Sequence, residues 1–217
     1  MARSAPERPA RLPGDRQVEY LIKQYALEQG ALEIQYIEEF FGEFNRRKTA
    51  SEIMRRLGGR PHIILMAEAP LPEDPGMIVP VSYKVAHELF ANEGDPKLAD
   101  LVERLGECMK FEGRRILYSW IGGTRRDWRG QGHFRALTEE QEVWAMADGF
   151  DEVLVKTKNK YYGMRATLDH LQFDVIKYER HDEENGDSKV YLGKRLGPHV
   201  LDTHRSVRTV VQADAGR

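Results

Sequence analysis

One cysteine, Cys108, is all that the chain carries, so no disulfide can close within it and no cysteine pair is there to hold zinc or run thiol exchange. Nor does either sign of charge dominate. The 33 Lys and Arg residues face 35 Asp and Glu, a formal net charge of −2, which gives no global attraction to nucleic acid or to an anionic membrane. There is no run of eighteen apolar residues and no charged-then-apolar leader, so neither a membrane span nor a secretory signal is expected. The histidines (His62, His87, His133, His170, His181, His199 and His204) are scattered with no pair at i, i+4, so no metal site is expected. These absences lead to the expectation of a soluble, cytoplasmic protein in a reducing compartment. A chain of 217 residues suffices for one domain with a sizeable core.

Residues 1–15 hold Pro6, Pro9 and Pro13 among arginines and small residues, a composition that buries too little apolar surface to order itself, so a disordered arm is expected. The domain is placed at 16–197 and a tail without clear period at 198–217. Val18, Leu21, Ile22, Tyr25 and Ala26 recur at helical spacing and predict a first helix up to Gly30, and Leu32 to Ile37 alternates as a first strand. Phe40, Phe41 and Phe44 suit a helix face. Thr49 followed by Glu52 reads as a capping box that opens a further helix. His62 to Glu68 and Met77 to Leu89 read as strands around a proline-rich turn. Asp95-Pro96 reads as a helix start within an insertion at about 95–110, where Leu98, Leu101, Val102, Leu105, Cys108 and Met109 form one stripe, which places Cys108 in the core. Asn185-Gly186 marks a turn between strands Asp174 to Arg180 and Lys189 to Arg195.

The densest information lies between Ile116 and Tyr178. A strand-like run, Arg115 to Ile121, leads through Trp128-Arg129-Gly130-Gln131-Gly132-His133-Phe134 into a helix from Gly132 to Asp148. Its stripe, Phe134, Leu137, Trp144 and Ala147, is the expected core face, with Glu139, Glu140 and Glu142 elsewhere. A strand that breaks at glycines and restarts as a helix turns the N–H groups of the first turn, and the positive end of the helix dipole, toward one point, which suits a phosphate. The same glycines also suit a turn that binds nothing. A P-loop is excluded because His133 and Phe134 follow Gly132 in place of Lys and Ser or Thr. A dinucleotide fingerprint is excluded because Arg135 stands where its third small residue belongs.

The order of elements downstream resembles the GNAT superfamily of acyl-CoA-dependent N-acyltransferases. That family's signature of Arg or Gln, two residues, Gly, one residue, then Gly or Ala falls on Arg129, Gly132 and Phe134, the last a departure. Tyr118-Ser119-Trp120-Ile121-Gly122-Gly123, Gln141-Glu142 before Trp144, and Lys156-Thr157-Lys158-Asn159 suggest a bacterial branch, and the resemblance covers residues 115–178. It implies an α/β (α+β) fold: a mixed, mostly antiparallel sheet with splayed central strands and helices on both faces.

The resemblance also implies acetyl-CoA as cosubstrate and no metal. The pantetheine arm would lie between the splayed strands, with Gly122, Gly123 and Thr124 along it, the pyrophosphate on Arg129, Gly130, Gln131, Gly132, His133 and Phe134, and Asn159 on the cofactor side. A backbone N–H near Gly122 to Thr124 would face the developing oxyanion. Because an amine attacks only when neutral, a base must take its proton, directly or through water; Glu68 and Glu88 are the acidic candidates, and Tyr118 and Ser119 could order a water. The tyrosine with which many relatives protonate the leaving thiolate falls on Leu168, which has no proton to give, so Tyr162 remains the candidate acid. Expected partners are an acyl-CoA and an amine-bearing small molecule or peptide, with no nucleic acid and no membrane; the oligomeric state stays open, a homodimer included. Two other classes compete with the enzyme: a non-catalytic acyl-CoA-binding regulatory module and, from Lys156, Lys158, Lys160 and Arg165 beside Tyr161 and Tyr162, a nucleic-acid-binding protein.

Overall fold

The computed structural model describes residues 20–27, 32–39, 48–204 and 211–212. The expected arm at 1–15 and the Phe40, Phe41 and Phe44 face lie outside them. Among the described residues eight strands form one sheet: β1 Leu21–Tyr25, β2 His62–Pro70, β3 Ile78–Leu89, β4 Ile116–Thr124, β5 Glu152–Lys158, β6 Asp174–Glu179, β7 Lys189–Arg195 and β8 Val211–Gln212. Their spatial order is β6-β7-β5-β4-β3-β2-β1-β8. Five neighbouring pairs are antiparallel, and β4 with β5 and β1 with β8 are parallel. The sheet is therefore mixed and mostly antiparallel, as expected.

Five α-helices among the described residues cover it: α1 Leu32–Glu39, α2 Ala50–Leu57, α3 Pro96–Leu105, α4 His133–Ala147 and α5 Tyr162–His170. Alternation along the strands sorts the core into two sides. Ile63, Leu65 and Ala67 of β2 and Leu117 of β4 pack with Ala136, Leu137 and Ala145 of α4 and Leu168 of α5. Ile64 and Met66 point the other way, to Ile34 and Ile37 of α1 and Ile53 and Leu57 of α2. On that same side α3 lays Leu98, Leu101 and Leu105 over Ile116, Tyr118, Leu154 and Tyr191.

The first two elements are exchanged relative to the sequence reading. Leu21–Tyr25 is a strand, paired with β2 from Leu21↔Glu68 to Tyr25↔Ile64. Leu32–Glu39 is a helix, with Ile34 and Ile37 buried three apart on one face. Two starts hold as read. Thr49 caps α2, its hydroxyl accepting from the Glu52 N–H at 3.1 Å, and Asp95 caps α3, accepting from the Lys97 and Leu98 N–H groups with Pro96 first in the helix. Cys108 follows the end of α3 and is exposed; the stripe stops with the helix at Leu105, so Met109 is buried while Cys108 is not.

Candidate functional site

In the middle of the sheet, β4 and β5 pair from Ile116↔Glu152 only as far as Ser119↔Val155. Each then stays with its outer neighbour, β4 with β3 up to Ser82↔Thr124 and β5 with β7 up to Lys158↔Lys189. A bulge marks the parting: Val85 pairs with Ile121 and Ala86 with Ser119, leaving Trp120 as the extra residue, and such a residue bends its strand and sharpens its twist. Gly122 lets β4 follow β3 closely, since a Cβ there would come within 3.1 Å of the Tyr83 carbonyl oxygen. Ser82 Oγ donates to the Gly123 carbonyl at 2.9 Å and meets Thr124 Oγ1 at 2.8 Å, which pins the far end of β4 to β3. Past Ser119 and Val155 the facing backbone edges of β4 and β5 have no ladder between them, so an extended guest rich in amides would be accepted there.

The glycine turn stands beside this opening. After β4, the 3₁₀ turn Arg126–Trp128 anchors the chain by burying Trp128, and Arg129 Nε donates back to the Thr124 carbonyl at 3.1 Å. Gly130 and Gly132 have φ of +80° and +86°, with open space where a Cβ would stand. Gly132 is the N-cap of α4 and supplies no side chain; the helix begins with Ala136 N–H to the Gly132 carbonyl at 3.0 Å. No acidic residue occupies the first turn of α4, so the positive end of its dipole is not neutralised from within. His133 itself is buried, edge-on to the Tyr20 ring at 4.2 Å. Its imidazole therefore points into the protein, and an anion at this turn would meet main chain.

Beneath α4 lies a polar layer that the sequence reading placed elsewhere. Glu139, Glu140, Gln141 and Glu142 are all buried, while Ala147, expected in the core stripe, is exposed. Ser119 Oγ donates to Gln141 Oε1 at 3.1 Å. Glu142 Oε2 accepts from Lys194 Nζ of β7 and pairs with His204 Nε2, both at 2.8 Å. Arg135 holds Glu139 and donates to the Thr203 carbonyl. Lys84 of β3 enters the same layer with its ammonium 4.5 Å from the centroid of the Phe134 ring. Burial, partly offset by Glu142, pulls its pKa down from 10.5 to about 7. Lys84 was not singled out from sequence, where a lone lysine inside the apolar run of β3 was the available signal; Gln141 was named only as part of the pair Gln141-Glu142.

On the opposite face the opening is aromatic. Trp120 packs at the edge of both clusters there, and His87 meets Tyr118 and Trp120 at centroid distances of 5.6 and 5.7 Å. Burial pushes the Tyr118 phenol up to about 12 and His87 down to about 3, so both are neutral at ordinary pH.

The remaining sequence candidates are placed apart. Glu68 sits on β2 and is held by Lys23 at 2.7 Å and by the Tyr25 hydroxyl. Glu88 pairs with Leu117 at the other end of β4 from the opening and is clasped by Arg115 at 3.1 and 3.0 Å. Neither carboxylate lies where β4 and β5 part. Tyr162 begins α5 and is 67% exposed, while Leu168 is wholly buried. Asn159 is engaged at both ends of its side chain, its amide donating to the Asn185 carbonyl at 3.2 Å and its Oδ1 accepting from Arg165. No group of three or more potential metal ligands occurs among the described residues, and no helix among them is long and apolar enough to cross a membrane.

No protein-family model matches the sequence, and no curated protein matches it. Solved structures do match the fold. Arabidopsis thaliana NAA60 in complex with acetyl-CoA is 10% identical with a TM-score of 0.60, over 82% of this chain and 98% of that one. A putative GNAT-family acetyltransferase from Desulfovibrio desulfuricans is 12% identical with a TM-score of 0.56, over 82% and 100%. The phosphinothricin acetyltransferase Pat of Sinorhizobium meliloti, in complex with AcCoA, is 13% identical with a TM-score of 0.56, over 82% and 89%. The chain thus has the fold of the GNAT superfamily.

Proposed function

We propose that the chain is an acetyl-CoA-dependent N-acetyltransferase acting on a primary amine. The observation that carries this reading is the parting of β4 and β5 after Ser119 and Val155 beside a helix that starts on positive-φ glycines with open space above them. Those features fit the cosubstrate: a strand-like gap suits the amides of a pantetheine arm, and an uncapped helix start suits a pyrophosphate. Acetyl-CoA, when bound, supplies an acetyl group activated as a thioester.

The chain's own groups then have separate tasks. Main chain from Gly130 to Phe134 binds phosphate oxygens, and Arg129 lends a positive charge at the rim. The far end of β4, Gly122 to Thr124, directs N–H groups toward the acyl oxygen. Tyr118 keeps its proton over the working pH range, so it donates rather than abstracts. With Glu68 and Glu88 held in ion pairs away from the opening, the amine proton is passed to water ordered near Ser119. A cytoplasmic location belongs to the same proposal, supported by the single cysteine.

Release of CoA thiol from acetyl-CoA, dependent on an added amine, tests the activity across amino acids, peptides, polyamines and aminoglycosides. Gly132→Asp adds a Cβ at positive φ and a negative charge at the phosphate position. Calorimetry is expected to show acetyl-CoA affinity lowered at least about tenfold by the loss of charge-assisted hydrogen bonds. Undiminished binding by Gly132→Asp would remove the cofactor assignment, and tight binding without turnover on any amine would instead support a regulatory acyl-CoA-binding module.

A further inference from the structure

The face of the opening turned away from α4 carries a cation that makes no direct ion pair among the described residues. Lys156 is the first residue of β5 beyond its pairing with β4. It lies on the same face as Leu154, and its ammonium stands 5.6 Å from the centroid of the Tyr191 ring. That ammonium makes no ion pair or hydrogen bond among the described residues, although acidic groups are near. Glu179 already accepts from Lys189 and from the Tyr191 hydroxyl, both at 3.1 Å, and from Arg104 at 3.3 Å. Asp100 is taken by Arg104 at 2.8 Å. Lys156 is exposed, and partial desolvation followed by repulsion from Lys189 lowers its pKa, with Glu179 and Asp100 opposing from a distance.

Across the opening the pattern repeats without a vacancy. Trp120 is flanked by Arg56 at 5.1 Å and Lys48 at 5.5 Å from its ring centroid. Arg56 is paired with Asp95 at 3.2 Å and Lys48 with Glu52. The two lips therefore present the half-buried Trp120 ring, an excess of positive charge, and one ammonium without an ion-pair partner among the described residues.

We infer that the acceptor is a small amine that carries a carboxylate, bound with the carboxylate on Lys156 and its apolar part against Trp120. This rests on the proposed transferase reading: a cosubstrate that enters from the α4 face leaves the Trp120 and Lys156 face as the acceptor's approach. The charge placement serves two ends. It orients an amino-acid-like molecule by its acid group, and it repels acceptors that carry several positive charges, such as polyamines and aminoglycosides. A cationic rim also disfavours the ammonium form of the bound amine, which helps to explain how an opening without a free carboxylate obtains a neutral nucleophile.

The test compares amino acids with their primary α-amides, in parent, Lys156→Met and Lys156→Arg proteins. The parent is expected to use the acid at least about tenfold better than the amide. Lys156→Met should raise KM for the acid about ten- to a hundredfold, the size of a lost charge-assisted contact, with little change for the amide, and Lys156→Arg should recover most of it. A second readout needs no turnover: N-acetyl amino acids, but not their amides, should shift the NMR signals of the Lys156 amide and the Trp120 indole N–H in the parent and not in Lys156→Met. Acid and amide behaving alike in both readouts, with acetyl-CoA bound normally by calorimetry, would overturn the acceptor inference and leave the transferase reading intact. Carboxylate-dependent shifts in a protein that fails to bind acetyl-CoA would keep the anion site and sink the transferase reading.

Discussion

Lys84 is a buried lysine whose ammonium is disfavoured by desolvation. Its unfolded-state pKa is near 10.4 and its folded value about 7, so folding penalises the protonated form. The sign follows: the penalty is fully present below about pH 7, shrinks as pH rises, and vanishes once the unfolded lysine is also neutral. Thermal melts are expected to show the Tm of the parent rising between pH 7 and 9, with a flatter profile and a higher Tm at pH 7 for Lys84→Met, which keeps the volume and removes the charge. A profile unchanged by the substitution would show that Lys84 is not the group responsible. At this scale legibility divided by kind of residue. Gly130 and Gly132 were readable because positive φ leaves glycine as its imprint. Lys84 and Lys156 were not, since a lysine in a strand looks the same in sequence whether its ammonium reaches water, a carboxylate or nothing.

Elements were most legible where a local signal fixed them. The α2 start rests on one side-chain bond, Thr49 Oγ1 from the Glu52 N–H, and Thr49→Ala should cost about 1 kcal/mol in urea unfolding. Thr49→Asn should cost far less. Where only periodicity was available, the reading failed twice in succession. Leu21, Ile22 and Tyr25 fit a helix stripe, yet the five residues of β1 are too few for a period to be decisive, and pairing with β2 settles them. Leu32, Ile34 and Tyr36 alternate in sequence, yet α1 buries Ile34 and Ile37, a three-residue spacing that a helix puts on one face and a strand on opposite faces. In α4 the stripe held at Leu137 but not at Ala147, and the acidic residues placed off the stripe are buried, because partners such as Lys194 and His204 come from remote parts of the chain.

Those remote partners make the layer under α4 a property of the whole molecule. Glu142 from α4, Lys194 from β7 and His204 beyond the last 3₁₀ turn meet in it, with Lys84 of β3 close enough to feel the carboxylate. Glu142→Gln removes the carboxylate that Lys194 and His204 share and leaves the buried Lys194 without its ion pair. A loss of about 3–5 kcal/mol in urea unfolding is expected, whereas an exposed control such as Asp100→Asn should lose under about 1 kcal/mol. The architecture itself was legible from residues 115–178 because strand, glycine turn, helix and strand follow each other there without interruption. The closing pair, β8 against β1 from Lys23↔Val211 to Gln24↔Gln212, was not, since the two segments lie almost the whole chain apart. That pair also orders events at the ribosome. β1 emerges early and β8 after every other strand, so the outer edge of β1 waits through most of translation, at about 5–20 residues per second, with its hydrogen-bonding groups open to any other nascent chain. Among the described strands β8 comes last in chain order, and its pairing with β1 is what removes that open edge.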